Sequence, residues 1–166
     1  MLKYLKQKIL QIRKMEKEKI TSIAGIIILI SIFLPVNYAL FVFKYGSYQD
    51  IKWIFGQRLE IFTNTEGIVY YHSRYFFFYF FGYIFAIVLI VLAIKIILNA
   101  HSIKGRKVVG LGISSIIVIL LETIIQLYAA LFRPPKAVLF LPHVGFVGIF
   151  LGGILAIIYG LKFNKY

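Results

Sequence analysis

Long apolar stretches alternate with short charged segments along the whole of this 166-residue chain. Four stretches, at about 20–43, 75–98, 108–131 and 142–161, each reach the roughly 20 residues that a helix needs to cross a hydrocarbon core about 30 Å thick. The pattern therefore predicts an all-α integral membrane protein with a four-transmembrane-helix bundle. Residues 44–74 form the only sizeable predicted outer loop.

This predicted outer loop contains short segments at 51–55, 59–63 and 67–71 that are rich in β-branched and aromatic residues. Residues 64–67 are placed to turn the last two segments into a hairpin. We therefore expect a small β-like region between the first two helices, packed on the membrane face or on a partner. Trp53 and the nearby tyrosines could equally anchor the loop at the membrane interface.

Lysine and arginine are concentrated in three of the segments that flank the apolar stretches. They occur seven times in residues 1–19, three times in the hinge at 104–107 and twice in the tail at 162–166. Positive residues in short loops are retained on the cytoplasmic side, so both termini are predicted to be cytoplasmic in a multi-pass protein of the cell membrane. The retention of these residues on the cytoplasmic side and their attraction to anionic lipid account for most of the net charge of +13, so no nucleic-acid partner is predicted.

Residues 1–19 have the pattern of a basic amphipathic helix, because Leu2, Leu5, Ile9 and Ile12 recur at helical spacing among lysines. Such a helix could lie along the inner membrane surface. A solvated extension of the first span, or a helix that docks on a cytoplasmic partner, fits the same pattern.

One carboxylate, Glu122, falls about three residues outward of the midpoint of the third apolar stretch. A bare charge at that depth would cost on the order of 3 kcal/mol or more, so it should be protonated, paired or facing water. Gln126 lies one turn further out, and Asn37 and Tyr83 fall at comparable depths when each helix is counted from its midpoint. These four residues form a predicted intramembrane polar cluster, which serves either as a proton, cation or ligand site or as a hydrogen-bonded contact between helices or subunits.

Small residues recur at every fourth position of the last stretch, at Gly148, Gly152, Ala156 and Gly160. They make one side of that helix nearly flat, which predicts close packing within its own bundle or against a neighbouring subunit. The second stretch opens with many aromatic residues between positions 70 and 85. These rings could line a groove for a lipid tail or quinone, or take part in ordinary packing.

Two weaker candidate sites lie at the predicted outer ends of the helices. Arg133 and Lys136 precede the fourth stretch, where they could contact an anionic headgroup or belong to a solvated loop. His72 and His143 are weak candidates for a metal or haem pair, with interfacial polar roles as the alternative.

Enzyme motifs are absent from the sequence. There is no cysteine, and therefore no disulfide, thiolate metal site or cysteine nucleophile. There is also no His-Glu-x-x-His, Gly-x-Ser-x-Gly or phosphate-binding loop. The sequence thus predicts a protein that is not an enzyme and has no cofactor or metal, beyond contact with lipid or quinone.

The predicted layout has two cytoplasmic termini, a larger first outer loop, a short inner hinge and a short second outer loop, and it resembles the tetraspan arrangement of claudins. Of the residues that claudins carry in the first loop, this chain has only a single tryptophan, Trp53; the Gly-Leu-Trp motif and the cysteine pair are absent. The resemblance is one of layout, and no residue roles follow from it.

Two functions fit these observations. The first is a non-catalytic subunit that packs in a larger membrane assembly or as a homo-oligomer, with membrane lipids and other subunits or itself as partners; an accessory role in an energy-transducing complex is one specific form. The alternative is a small channel or transporter component in which Glu122 handles a proton or cation. No internal repeat links the two halves, which favours the subunit.

Overall fold

The chain has a mixed α/β fold, in which helices pack against a five-stranded antiparallel sheet. The prediction of an all-α four-helix bundle is therefore wrong. The structure is a computed structural model that describes residues 2–64, 67–73, 76–100, 105–132 and 138–162. Its elements, in chain order, are α1 (Leu2–Ile32), β1 (Pro35–Phe43), β2 (Gly46–Trp53), β3 (Arg58–Asn64), β4 (Gly67–Ser73), α2 (Phe76–Asn99), α3 (Gly105–Phe132), β5 (Leu139–Pro142) and α4 (Val144–Leu161).

The error lies in the first apolar stretch, where a helix gives way to a strand. Helix α1 ends at Ile32, and from Pro35 the chain is extended as β1. Proline cannot donate a backbone hydrogen bond and its ring clashes with the preceding turn, so the helix stops before it. The residues that follow are rich in valine, tyrosine and phenylalanine, which suit a strand. Residues 20–43 are therefore not a single span.

Three helical segments in the described part of the chain are long and apolar enough to cross a membrane. They are Phe80–Asn99, Gly105–Phe132 and Val144–Leu161, with mean hydropathies of 2.8, 2.5 and 2.3. These helices fit a membrane protein in general. The apolar part of α1 begins only at Ile20 and extends about 20 Å, at 1.5 Å per residue, before the helix ends.

Helix α4 lies between α1 and α3 and is antiparallel to both. A Cβ added at Gly145, near the start of α4, would lie 2.6 Å from the carbonyl oxygen of Leu34, just after α1. A Cβ at Gly160, near its end, would lie 2.9 Å from the carbonyl oxygen of Gly105, at the start of α3. The lysine-rich half of α1, the start of α3 and the end of α4 therefore lie at one end of the molecule, here called the basic end.

The sheet lies at the opposite end, with the strand order β4-β3-β2-β1-β5. Strands β1 to β4 are consecutive antiparallel neighbours, and β5, from the connection between α3 and α4, pairs with the other side of β1. The sheet is larger than the predicted β-like region because β1 comes from the expected first span and β5 from the expected second outer loop. Across the β3–β4 hairpin, Asn64 pairs with Gly67.

One end of the sheet, here called the root, is held by the helices. The β2–β3 turn carries Ile54, which is buried, and Phe55, whose ring centre is 5.6 Å from that of Phe33 and 6.1 Å from that of Tyr83. The turn closes through the N–H of Gly56, which donates to the carbonyl of Trp53 at 3.0 Å; Gly56 has a φ of 78°, which glycine adopts most readily. The other end, with the β1–β2 turn, is here called the distal end.

The apolar core is shared by all four described helices and by the root of the sheet. Small residues alternate with branched ones in this core, which brings the helix backbones close together. Its fully buried members include Ala24, Ile28, Ile32, Val36, Ile54, Leu89, Ala93, Ile96, Ile119, Ile149 and Ala156.

Candidate functional site

Charged and amide side chains from three neighbouring strands share one face of the sheet. Asn37 on β1 pairs with Lys52 on β2, and Lys52 pairs in turn with Arg58 on β3. Asp50 pairs with Glu60 in the same register. Residues that stand directly opposite in a ladder project to the same side, so strand pairing alone gathers these groups.

Helix α3 contacts this polar face through two side chains that are one turn apart. The Asn37 Nδ2 donates to Glu122 Oε2 at 2.9 Å, in a contact where both residues are buried. The Lys52 Nζ donates to Gln126 Oε1, also at 2.9 Å. Glu122 therefore lies at the junction of the helices and the sheet, with polar neighbours from the protein.

A chain of ion pairs continues from Lys52 along the sheet. The Lys52 Nζ is 3.3 Å from Asp50 Oδ2, and the Arg58 Nε is 2.6 Å from Asp50 Oδ1. Arg58 Nε is also 3.0 Å from Glu60 Oε1, and its Nη2 donates to the hydroxyl of Tyr48. Asp50 is fully buried between its two cations. The connected groups are here called the polar network: Asn37, Tyr48, Asp50, Lys52, Arg58, Glu60, Glu122 and Gln126.

The two cations of the polar network respond differently to burial. Burial lowers the pKa of Lys52 below its usual value, although the carboxylates of Asp50 and Glu122 oppose the change. Burial also acts to lower the pKa of Arg58, but the adjoining Asp50 carboxylate outweighs it and the pKa is raised. Arg58 is therefore the more firmly charged partner of Asp50.

Tyr48 provides a test of the network at alkaline pH. Burial raises the pKa of its phenol, and Asp50 adds to the rise while Arg58 opposes it. An unfolded tyrosine ionises near pH 10, so above that pH the unfolded state binds fewer protons than the folded state and stability falls as pH rises. Tyr48→Phe should therefore flatten the decrease in melting temperature between about pH 9 and pH 11, measured in mild detergent.

The matched control is Tyr45→Phe, because Tyr45 is exposed beside the β1–β2 turn. Its pH profile should be the same as that of the unaltered chain. Equal profiles for Tyr48→Phe and Tyr45→Phe would contradict a phenol kept protonated by the network.

The remaining member of the predicted polar cluster, Tyr83, and the predicted packing stripe of α4 lie as follows. Tyr83, on α2, has its ring beside Phe55 of the β2–β3 turn. The small-residue stripe of α4 faces the neighbouring helices of the same chain: a Cβ at Gly152 would lie 2.6 Å from Ile28 Cγ1 of α1, and Gly148 is next to Ser31 of α1. Further along the stripe, Ala156 is buried against α3 and Gly160 against the start of α3.

The remaining candidates form no assembled site in the described part of the chain. Arg133 and Lys136 lie outside the described residues, and so does the side chain of His72. His143 precedes α4; its backbone N–H donates to the carbonyl of Val36 at 2.8 Å, while its Nδ1 is buried without a hydrogen-bond partner. Within the described residues, no group of three or more histidine, cysteine or acidic side chains is placed to hold a metal.

Sequence reasoning missed the sheet half of the polar network. Asp50, Lys52, Arg58 and Glu60 fall in the predicted outer loop, and no site was predicted for them. The available signal was their period of two, because positions 48, 50 and 52 fall on one face of a strand and 58 and 60 on one face of the next. Their partners across the ladder depend on register, which the charges alone do not fix.

In comparisons with known proteins, no family model matches the chain and no curated protein is significantly similar to it.

Proposed function

We propose that this protein is a non-catalytic subunit of a membrane assembly, and that it docks on its partner through the distal end of its sheet. The basic end would face the cytoplasm of a cell-membrane protein, since lysine and arginine are concentrated there. The sheet would then stand on the outer side.

The observation that carries this proposal is the apolar surface of the distal end. Tyr45, beside the β1–β2 turn, is 72% exposed, and Ile68, at the start of β4, is 59% exposed. Val42, Phe43 and Val69 are exposed beside them. The register puts these groups at the same level of the sheet, since Phe43 pairs with Gly46, Gly46 with Asn64 and Asn64 with Gly67. Strands β1 and β4 are three strand spacings apart, roughly 14 Å at about 4.8 Å each.

Lipid does not readily account for this surface. Strand β1 has nine residues, so at about 3.3 Å per residue the distal end lies roughly 30 Å along the strand from the root. Exposed apolar side chains at one end of a sheet commonly mark a protein contact. Aromatic residues such as Phe43 and Tyr45 are also typical of the energetic centre of an interface.

The small-residue stripe, by contrast, does not supply the assembly surface. It is in contact with α1 and α3 of the same chain, so a partner could not reach it without separating the helices. The proposal therefore rests on the sheet.

The test is mild-detergent purification of the full chain from its native membrane, followed by mass determination of the intact particle. The unaltered chain should travel with another subunit or a second copy, and the mass distinguishes these two. The combined variant Phe43→Ser, Tyr45→Ser and Ile68→Ser should reduce the assembled fraction at least tenfold, because hot-spot residues often contribute 2 kcal/mol or more each.

Leu141→Ser is the matched control, since this exposed leucine of β5 pairs with Tyr38 towards the root. It should assemble normally. A monodisperse monomer from the unaltered chain, or equal losses in the control and the distal-end variant, would contradict the proposal.

A further inference from the structure

We propose that Glu122 is a proton-binding site reached from the sheet side of the molecule, and that protonation ends its acceptance of the hydrogen bond from the Asn37 amide. The site would make the contact between α3 and β1 sensitive to pH. This inference is independent of the proposed docking surface.

Glu122 is buried, and no cation of the described residues forms an ion pair with it. Lys52 instead pairs with Asp50 and donates to Gln126. An unpaired charge removed from water costs several kcal/mol, and a proton on Glu122 would neutralise it.

The groups around Glu122 come from several elements in the described part of the chain. Asn37 is on β1, Lys52 and Asp50 are on β2, and Arg58 and Glu60 are on β3. Helix α3 itself supplies Thr123 and Gln126. The nearest cation is therefore Lys52, which donates to Gln126 and pairs with Asp50.

These neighbours favour a proton over a metal cation. Asn37 Nδ2 presents an N–H to the carboxylate, and the Lys52 ammonium adds positive charge nearby, so a metal ion would be repelled. The Oδ1 of Asn37, by contrast, is buried without a hydrogen-bond partner. A proton taken from solvent onto Glu122 creates an O–H donor, and rotation of the Asn37 amide by 180° would let Oδ1 accept from it.

On the sheet side of Glu122, side chains of the polar network are partly exposed to water. Side-chain exposure is 15% for Glu60, 21% for Arg58 and 15% for Lys52, whereas Glu122 as a residue is 2% exposed. In the other direction, the described helices carry no charged side chain between Glu122 and the layer of Lys95, Arg106 and Lys107 near the basic end. This arrangement is suited to sensing protons and not to conducting them.

The experiment is an infrared pH titration of the purified full chain in lipid nanodiscs, following the carbonyl stretch of protonated carboxyl groups. One titrating band should be lost in Glu122→Gln and retained, with a displaced midpoint, in Glu122→Asp. Glu16→Gln, which alters an exposed acid on α1, is the matched control and should leave the band unchanged. Asn37→Leu should move the midpoint upward by about one pH unit, a tenfold change in proton affinity, because a donor to the ionised form is lost.

Thermal melting first establishes that each variant is folded. If Glu122→Gln does not fold, Glu122→Asp still tests the proposal. The titration midpoint should be the same in sodium and in choline buffers. Proton flux into liposomes should equal that of Glu122→Gln. A band that survives Glu122→Gln, a midpoint that follows sodium concentration, or flux abolished by Glu122→Gln would overturn the proposal.

Discussion

Asp50→Ala is expected to lower the free energy of unfolding by about 3–5 kcal/mol, because it removes a fully buried carboxylate and leaves two partly buried cations without it. Asp50 is fully buried and contacts both Lys52 and Arg58. For a chain of this size the loss corresponds to a decrease in melting temperature of roughly 10 °C. Thermal unfolding in mild detergent, followed by circular dichroism and by retention of the monodisperse peak, measures it.

Glu60→Ala is the matched control, since Glu60 contacts the same arginine from a more exposed position. Its effect should be about 1 kcal/mol or less, as is usual for ion pairs near water. A triple change of Asp50→Leu, Lys52→Met and Arg58→Met should recover part of the loss, because it removes the two cations that Asp50→Ala leaves without their carboxylate. Equal destabilisation by Asp50→Ala and Glu60→Ala would show that burial of Asp50 does not matter.

The apolar helices α2, α3 and α4 could be predicted from the sequence, whereas the first span could not. Long apolar runs without an interior proline suit a membrane helix, and the three candidate spans fall on such runs. The first run has the same apolar content, but Pro35 divides it and β1 follows. A buried strand is apolar on both faces, so hydropathy does not distinguish it from the second half of a helix.

The prediction that Asn37 lies near Glu122 assumed that both residues belong to membrane helices, and the structure contradicts that assumption. Asn37 lies on β1 and not in a helix. The two residues still meet, because β1 begins three residues after α1 ends and its root remains beside the second half of α3. Lys52, Asp50 and Arg58 could not be placed in the same way, since their positions follow from strand register and from the docking of the sheet.

Gly145→Ala is expected to destabilise the fold by about 3 kcal/mol, near the upper end of the usual cost of overpacking. A Cβ at this position would lie 2.6 Å from the carbonyl oxygen of Leu34, 2.8 Å from that of Pro35 and 2.9 Å from that of Ser31. All three atoms belong to the backbone at the junction of α1 and β1, so no flexible side chain can move aside. Thermal unfolding in mild detergent should show a decrease of several degrees.

Gly110→Ala is the matched control, because a Cβ at Gly110 of α3 would meet nothing within 4 Å. Alanine should there raise stability by up to about 1 kcal/mol through its better helix propensity. The same junction leads into Asn37 two residues after Pro35, so Gly145→Ala should also disturb the Asn37–Glu122 contact and displace the infrared titration of Glu122. Equal melting temperatures for Gly145→Ala and Gly110→Ala would show that α4 is not tightly packed against the α1–β1 junction. A lower melting temperature for Gly145→Ala with an unchanged titration of Glu122 would show that the junction does not position Asn37.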